Sequence, residues 1–272
     1  MPEPFCYLFV ALPCEAKPLI EHFKLKKELS INAFSIYRNG HISLTVTGIG
    51  KSAMAAGVAY SLALFPSPTL PVLLNIGIAG HSTYSIGSVF TADKIIDQGT
   101  GRKFYPQLVS TPPCSTSAIT TVSKPLPDYP SDSLFEMEAS SFYETAIRFS
   151  SSELIQCIKV ISDNKHNSTE QIKPAQVSLW LKGALPIIAA YMQQLSLLAS
   201  LDKPVAAEGF AEIIEQWRFS SNEKLQLKSL LRKRAILIPH KALDLTEISP
   251  GPGKIVLNYL RKEMDKQKFG GF

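Results

Sequence analysis

Apolar positions along this chain follow two alternating rhythms: short unbroken runs of strand length, and longer stretches with helical spacing. Phe5 to Leu12 is the first run, and EAKPLIEHFKL after it has a helix's spacing. Phe34 to Tyr37 and Ile42 to Thr47 flank Asn39-Gly40, a dipeptide that readily takes the positive-φ conformations of a tight hairpin turn. TGIGKSAMAAGVAYSLALF predicts a glycine turn feeding a helix over Ser52 to Phe65, whose small residues suit close packing on a sheet. PVLLNIGIAG predicts a buried strand that ends in a glycine turn, and Ile86 to Ile96 and Lys103 to Val109 predict further strands. Pro106 to Asp132 is rich in Pro, Ser and Thr, with a β-branched island at Ala118 to Val122 that reads as a short strand between loops. A helix is expected over Met137 to Phe149, a buried strand over Ile155 to Ser162, and a long helix from Pro174 to Ser200.

Strands alternating with helices at this spacing imply βαβ units, hence an α/β domain whose parallel or mixed sheet lies under helices. In such sheets ligands sit beyond the carboxyl ends of the strands. After Asp202 the pattern changes to helices alone, at Ala206 to Trp217, Asn222 to Arg232 and Lys254 to Met264, with Ser221 or Asn222 capping the second. Two domains are therefore expected, residues 1–201 and an all-α appendage over residues 202–272.

Charge sharpens that division. Residues 202–272 carry 13 Lys and Arg against 9 Asp and Glu, which is +4 of the net +5. The second appendage helix ends in RKR, a pattern compatible with a nucleic-acid-binding helix-turn-helix. Glu208, Glu212, Glu215 and the modest net charge point away from nucleic acid and toward packing or oligomerisation. SPGPGK at 249–254 reads as a turn, because its prolines remove backbone donors. An apolar fraction of 45% argues against disorder. Ile187 to Leu201 is broken by Gln193, Gln194 and Ser196 and falls short of the roughly 18–20 residues of a membrane span, so no membrane partner is expected. MPEPFCYLFVALP has no basic n-region and is not read as a signal peptide. Cys6, Cys14, Cys114 and Cys157 lie far apart without metal-ligand spacing, two of them in apolar runs that suit a reduced thiol, so a cytoplasmic location is expected.

Three acids stand at strand ends or strand-to-helix junctions. Glu15 follows the first strand, where a helix's first turn favours a carboxylate in any case. Glu138, in FEMEASSF, starts a helix whose buried face is expected to include Met137, Ala139, Phe142, Ala146 and Phe149. A carboxylate beside that face needs hydrogen-bond partners. A ribose diol would supply two donors while Met137 packs on the sugar's apolar face. Glu136 is read as a solvated neighbour. Asp163 ends the strand IQCIKVIS, where partial desolvation favours the neutral form that a general acid needs, although an Asp also caps turns. TGIGK (47–51) and NIGIAGH (75–81) let backbone approach a ligand, and neither has the spacing of a phosphate loop or a dinucleotide fingerprint.

Taken together, ALPCEA, TGIGKSAMAAG, NIGIAGHSTYSIGSVFTAD, FEMEASSF and KVISDN, in this order, resemble the nucleoside phosphorylase superfamily, and within it the methylthioadenosine/S-adenosylhomocysteine nucleosidase branch. The resemblance implies a three-layer α/β/α fold with a central mixed sheet, usually in a homodimer or larger assembly, with neither metal nor organic cofactor. Carried over by motif, it places the water-activating glutamate at Glu15. The ribose-binding glutamate falls on Glu138, with Met137 beside the sugar, and the acid that protonates the purine ring on Asp163. Ile49, Gly77, Ile78 and Ser162 are expected around the substrate. The implied activity is hydrolysis of the N-glycosidic bond of a purine nucleoside such as methylthioadenosine, adenosylhomocysteine or futalosine, through an oxocarbenium-like sugar.

Phosphorolysis is the alternative. A phosphorylase must neutralise a dianion, normally with arginines near the glycine turns. LLNIGIAG has none, Arg38 is placed in the hairpin turn, and Lys51 has a counterpart in hydrolytic members, so water is the favoured nucleophile. Two positions depart from the branch: Ile78 replaces a frequent serine and cannot donate a side-chain hydrogen bond, and His81 replaces a frequent glycine. Ile78 and the added helices also support a reading of another class, a non-catalytic nucleoside-binding or scaffold protein. The base-contacting segment is expected around Thr116 to Val122, and the identity of the base is open.

Overall fold

A computed structural model describes residues 5–126, 128–201, 207–239, 241–246 and 248–268. The chain divides into two compact units, Met1–Asp202 and Lys203–Phe272. The first contains β1 (Cys6–Val10), α1 (Pro13–His22), β2 (Lys26–Lys27), β3 (Ser35–Asn39), β4 (Ile42–Val46) and α2 (Lys51–Leu64). It continues with β5 (Val72–Gly80), β6 (Val89–Asp97), β7 (Lys103–Phe104), β8 (Ser115–Thr121), β9 (Leu134–Glu136), α3 (Ala139–Ala146), β10 (Ile155–Asp163) and α4 (Pro174–Leu201). The second contains α5 (Phe210–Gln216), α6 (Ser221–Leu237) and α7 (Lys254–Lys268).

The strands form one mixed sheet. β1 lies parallel between β4 and β5, and β5 is parallel to β10. From β5 the pairing runs through β10, β6, β8 and β9 and back to β5 at Gly80 and Phe135, closing a ring. Side-chain alternation along the strands sorts two cores. Leu8, Val10, Leu74 and Ile158 pack with Leu19 of α1 and Leu181 and Ile188 of α4. Tyr7, Phe9, Leu73, Cys157 and Ile161 pack with Met54 of α2 and Phe142 of α3. The result is the expected α/β/α layering, with strands that read as near-continuous apolar runs because both faces are covered.

Several elements differ from their sequence reading. NIGIAG is not a turn: β5 runs straight through Gly77 to Gly80. The helix expected from Met137 begins at Ala139 and ends at Ala146, leaving Phe149 37% exposed rather than on the buried face. Arg38 lies in β3, not in the turn, with its guanidinium over the Phe65 ring. The island at Ala118–Val122 falls, up to Thr121, in a longer strand, β8. By length and composition α4 is able to cross a membrane, with a mean hydropathy of 1.4 in its most apolar window, which corrects the expectation that no stretch reaches that length. Pro186 does not end the helix, so the apolar run extends N-terminally past Ile187. Val177, Leu181, Ile188, Tyr191 and Leu195 line its buried face against the first core, whereas Leu179, Leu197 and Leu201 are exposed.

In the second unit, Ile213, Trp217, Leu227, Leu231, Val256 and Leu260 form a small core. Ser220, not Ser221 or Asn222, caps α6, in a reciprocal capping box with Glu223. Arg234, the last residue of RKR, turns inward to Glu263 at 2.6 Å. The expected helix start at Ala206 and the segment Met1–Pro4 lie outside the described residues.

Candidate active site

Parallel alignment of β1, β5 and β10 brings their carboxyl ends to one edge, where Asp163 pairs with Gly80. Glu15 enters one turn after β1, Glu138 two residues after β9, and Asp163 is the last residue of β10. All three carboxylates line a single cavity of about 190 Å³.

Glu15 is 2% exposed. Its Oε2 accepts from the N–H groups of Ala11 and Leu12, both at 2.9 Å, and its Oε1 from the N–H of Ile78 at 3.1 Å. Burial pushes its carboxyl up against the pull of those donors and of Lys159. Gly77 explains how the carboxylate reaches β5: a Cβ there would stand 2.9 Å from Oε1. Gly77 thus sits behind Glu15 and does not line the cavity, whereas Ile49, Ile78, Met137 and Ser162 do. Ile78 serves through its backbone N–H, a donor that the missing serine hydroxyl does not affect.

Glu138 is the N-cap residue of α3, and its Oε1 accepts from the N–H of Gly50 at 2.7 Å. Burial and the neighbouring Glu136 raise its carboxyl to about 7, although Lys159 and the Gly50 N–H pull the other way.

Glu136 is not solvated. It is 5% exposed, the last residue of β9, and its Oε2 accepts from the N–H groups of Glu138 at 2.9 Å and Ala139 at 2.8 Å. Thr121 Oγ1 donates to its Oε1 at 2.7 Å, and Lys159 Nζ stands 3.0 Å away. The carboxylate caps α3 and anchors a buried cation, although Glu136 also lines the cavity.

Lys159 is the functional residue that the sequence reading missed. It is 1% exposed in the middle of β10. Burial alone would lower its ammonium, but Glu136 and Glu138 outweigh that and hold it charged. A signal was present: a lone lysine inside the apolar strand IQCIKVIS requires buried carboxylates nearby.

Asp163 accepts from three hydroxyls: Ser162 at Oδ1, and Thr169 (2.9 Å) and Tyr129 (2.5 Å) at Oδ2. Val122, Pro125, Leu126 and Phe135 give the cavity an apolar part of its lining. Among the described residues the lining holds no Lys or Arg. Lys51, the basic residue after the first glycine turn, bonds Asp97 at 3.0 Å. That contact and Ser140 overcome burial and draw Asp97 to about 2.

No protein-family model matches the chain, and no curated protein matches it. Solved structures do. The 5'-methylthioadenosine nucleosidase of Arabidopsis thaliana superposes with a TM-score of 0.60 at 13% identity, covering 72% of this chain and 97% of that one. The fold is that of the nucleosidases. The 5'-methylthioadenosine/S-adenosylhomocysteine nucleosidase of Colwellia psychrerythraea, solved with adenine, matches at 0.54 and 17% identity over 72% of this chain and 96% of its own. The futalosine hydrolase of Helicobacter pylori matches at 0.56 and 14% identity over 70% of this chain and 98% of its own.

Proposed function

We propose that this nucleosidase-fold protein is a purine nucleoside N-ribohydrolase. The observation that carries the reading is the convergence of Glu15, Glu138 and Asp163 on one small cavity at the carboxyl ends of the strands. Three carboxylates can divide the work of glycosidic cleavage. Asp163 gives a proton to a ring nitrogen of the base, which then leaves uncharged. Glu138 accepts hydrogen bonds from the sugar hydroxyls and offsets positive charge on the oxocarbenium-like ring, with Met137 against the sugar's apolar face. Glu15 orients a water and takes its proton as the remaining hydroxide bonds to the anomeric carbon. Lys159, beneath the two glutamates, limits the repulsion among the acids.

Hydrolysis is favoured over phosphorolysis because a phosphate dianion would face these carboxylates with no Lys or Arg among the described lining residues. By the resemblance the protein is proposed to act as a homodimer, which sedimentation velocity tests, and its scattered cysteines fit a cytoplasmic location, which cell fractionation tests.

The deciding experiment incubates purified protein with methylthioadenosine, adenosylhomocysteine, futalosine, adenosine and inosine, with and without phosphate, and follows free base and sugar. Turnover without phosphate is expected; strict phosphate dependence would replace hydrolysis by phosphorolysis. Nucleoside-induced thermal stabilisation without any turnover would favour the non-catalytic binding reading. Asp163→Asn is expected to lower kcat by at least about 100-fold, the usual worth of a general acid, with the fold intact. Normal turnover by that variant would remove Asp163 from the role.

A further inference from the structure

Tyr129 is not used by the mechanism above, yet it stands at its centre. Its hydroxyl donates to Asp163 Oδ2 at 2.5 Å, on the carboxylate that must face the leaving base. The phenol ring lies in a slot between Gly80 and Phe135. Its centroid is 5.9 Å from that of Phe135, and a Cβ on Gly80 would stand 2.7 Å from its Cε1 and overlap Asp163 Oδ2. Only a residue without a side chain at position 80 leaves room for both partners. The cavity that remains, about 190 Å³, is smaller than the roughly 300–1,000 Å³ usual for ligand pockets. The segment that carries Tyr129 is tied back by Asp132, which meets His81 Nε2 at 3.0 Å. His81 Nδ1 accepts from the N–H groups of Thr83 and Tyr84, so Nε2 carries the hydrogen and donates it to Asp132.

We propose that the Tyr129 phenol occupies the leaving-base subsite in the free protein, and that a purine enters by taking its place against Asp163, between Gly80 and Phe135. The inference rests on the nucleosidase reading of the site. The aromatic ring of Tyr129 occupies space beside Gly80 and Phe135 that a planar heterocycle of similar size would need, and its hydroxyl meets the acid that a ring nitrogen would meet. Tyr129 is then a specificity-determining residue: a base is admitted only if its contacts to Asp163 and to the slot outweigh those of the phenol. Bases lacking a ring nitrogen on the edge facing Asp163 lose that exchange.

The test is calorimetric binding of free adenine and hypoxanthine to wild type, Tyr129→Phe and Thr169→Val, with thermal unfolding confirming that each is folded. Removing the phenol hydroxyl is expected to tighten base binding about tenfold, the scale of one hydrogen bond no longer broken on entry. Thr169→Val also removes a hydroxyl from Asp163 Oδ2 but vacates no base site, so it is expected to give no such gain. Unchanged or weaker binding by Tyr129→Phe, or an equal gain in Thr169→Val, would overturn the proposal. If either result accompanies nucleoside hydrolysis by wild type, the nucleosidase reading survives while the Tyr129 role does not. If no form binds a base and wild type hydrolyses no nucleoside, both fall together.

Discussion

Lys159→Met is the most informative single perturbation of the site. Lys159 is 1% exposed and 3.0 Å from Glu136 Oε2, so its loss leaves a carboxylate buried without its cation. Breaking a buried pair from one side costs on the order of 3–5 kcal/mol. Glu136 keeps Thr121 Oγ1 and the N–H groups of Glu138 and Ala139, which places the loss near the lower end, about 3 kcal/mol. For a unit of this size that is about 6–12 °C in Tm. Lys159 also pulls Glu138 down, so without it Glu138 stays protonated to higher pH and turnover near neutrality drops further. Urea unfolding followed by Trp180 fluorescence, in a Trp217→Phe background so that only the first unit reports, measures the stability change. Glu136→Gln combined with Lys159→Met should recover about half or more of it, because no uncompensated pair partner remains. A single Lys159→Met within roughly 1 kcal/mol of its parent would refute the account of a charge-coupled floor to the site.

Two further outcomes follow from the same geometry. Glu138 is raised from 4.5 to about 7, so the folded form binds more protons than the unfolded chain between those pH values. Stability of the first unit should therefore fall by about 1–3 kcal/mol as pH rises from 4.5 through 7, and substrate affinity should rise as the carboxylate forms; Glu138→Gln should flatten both trends, and an unaltered pH dependence in that variant would exclude Glu138 as their source. Gly80→Ala should cost about 1–3 kcal/mol and at least about tenfold in activity, because the new Cβ overlaps Asp163 Oδ2 and the Tyr129 ring; chemical denaturation and initial rates check it, and near-normal rates would show that Asp163 tolerates displacement.

The α/β layering was legible in the chain because both faces of β1, β5 and β10 are covered, and such strands must read as apolar runs between helices. Glu15, Glu138 and Asp163 stood out for a related reason: each breaks the apolar pattern where a strand ends. What that pattern could not convey was direction. In FEMEAS the two glutamates are two residues apart, and nothing local says which is wrapped in donors. The tertiary structure decides it: Thr121 from β8, Lys159 from β10 and the start of α3 converge on Glu136, while Glu138 accepts from the Gly50 N–H, and both residues line the cavity. The glycines of NIGIAG look like turn residues, but their purpose becomes visible only once Glu15 and Asp163 crowd β5 from elements far away in sequence. Tyr129 lies in a Pro- and Ser-rich stretch whose local sequence signals only loop, and pairing of β9 with β5 and β8 is what carries it against Asp163. Sequence determined the elements and the candidate acids, because burial and helix starts are local demands. Which acid is wrapped in donors and paired with Lys159, and which side chains share the cavity with Asp163, are set by contacts between distant segments, and only the folded chain brings those together.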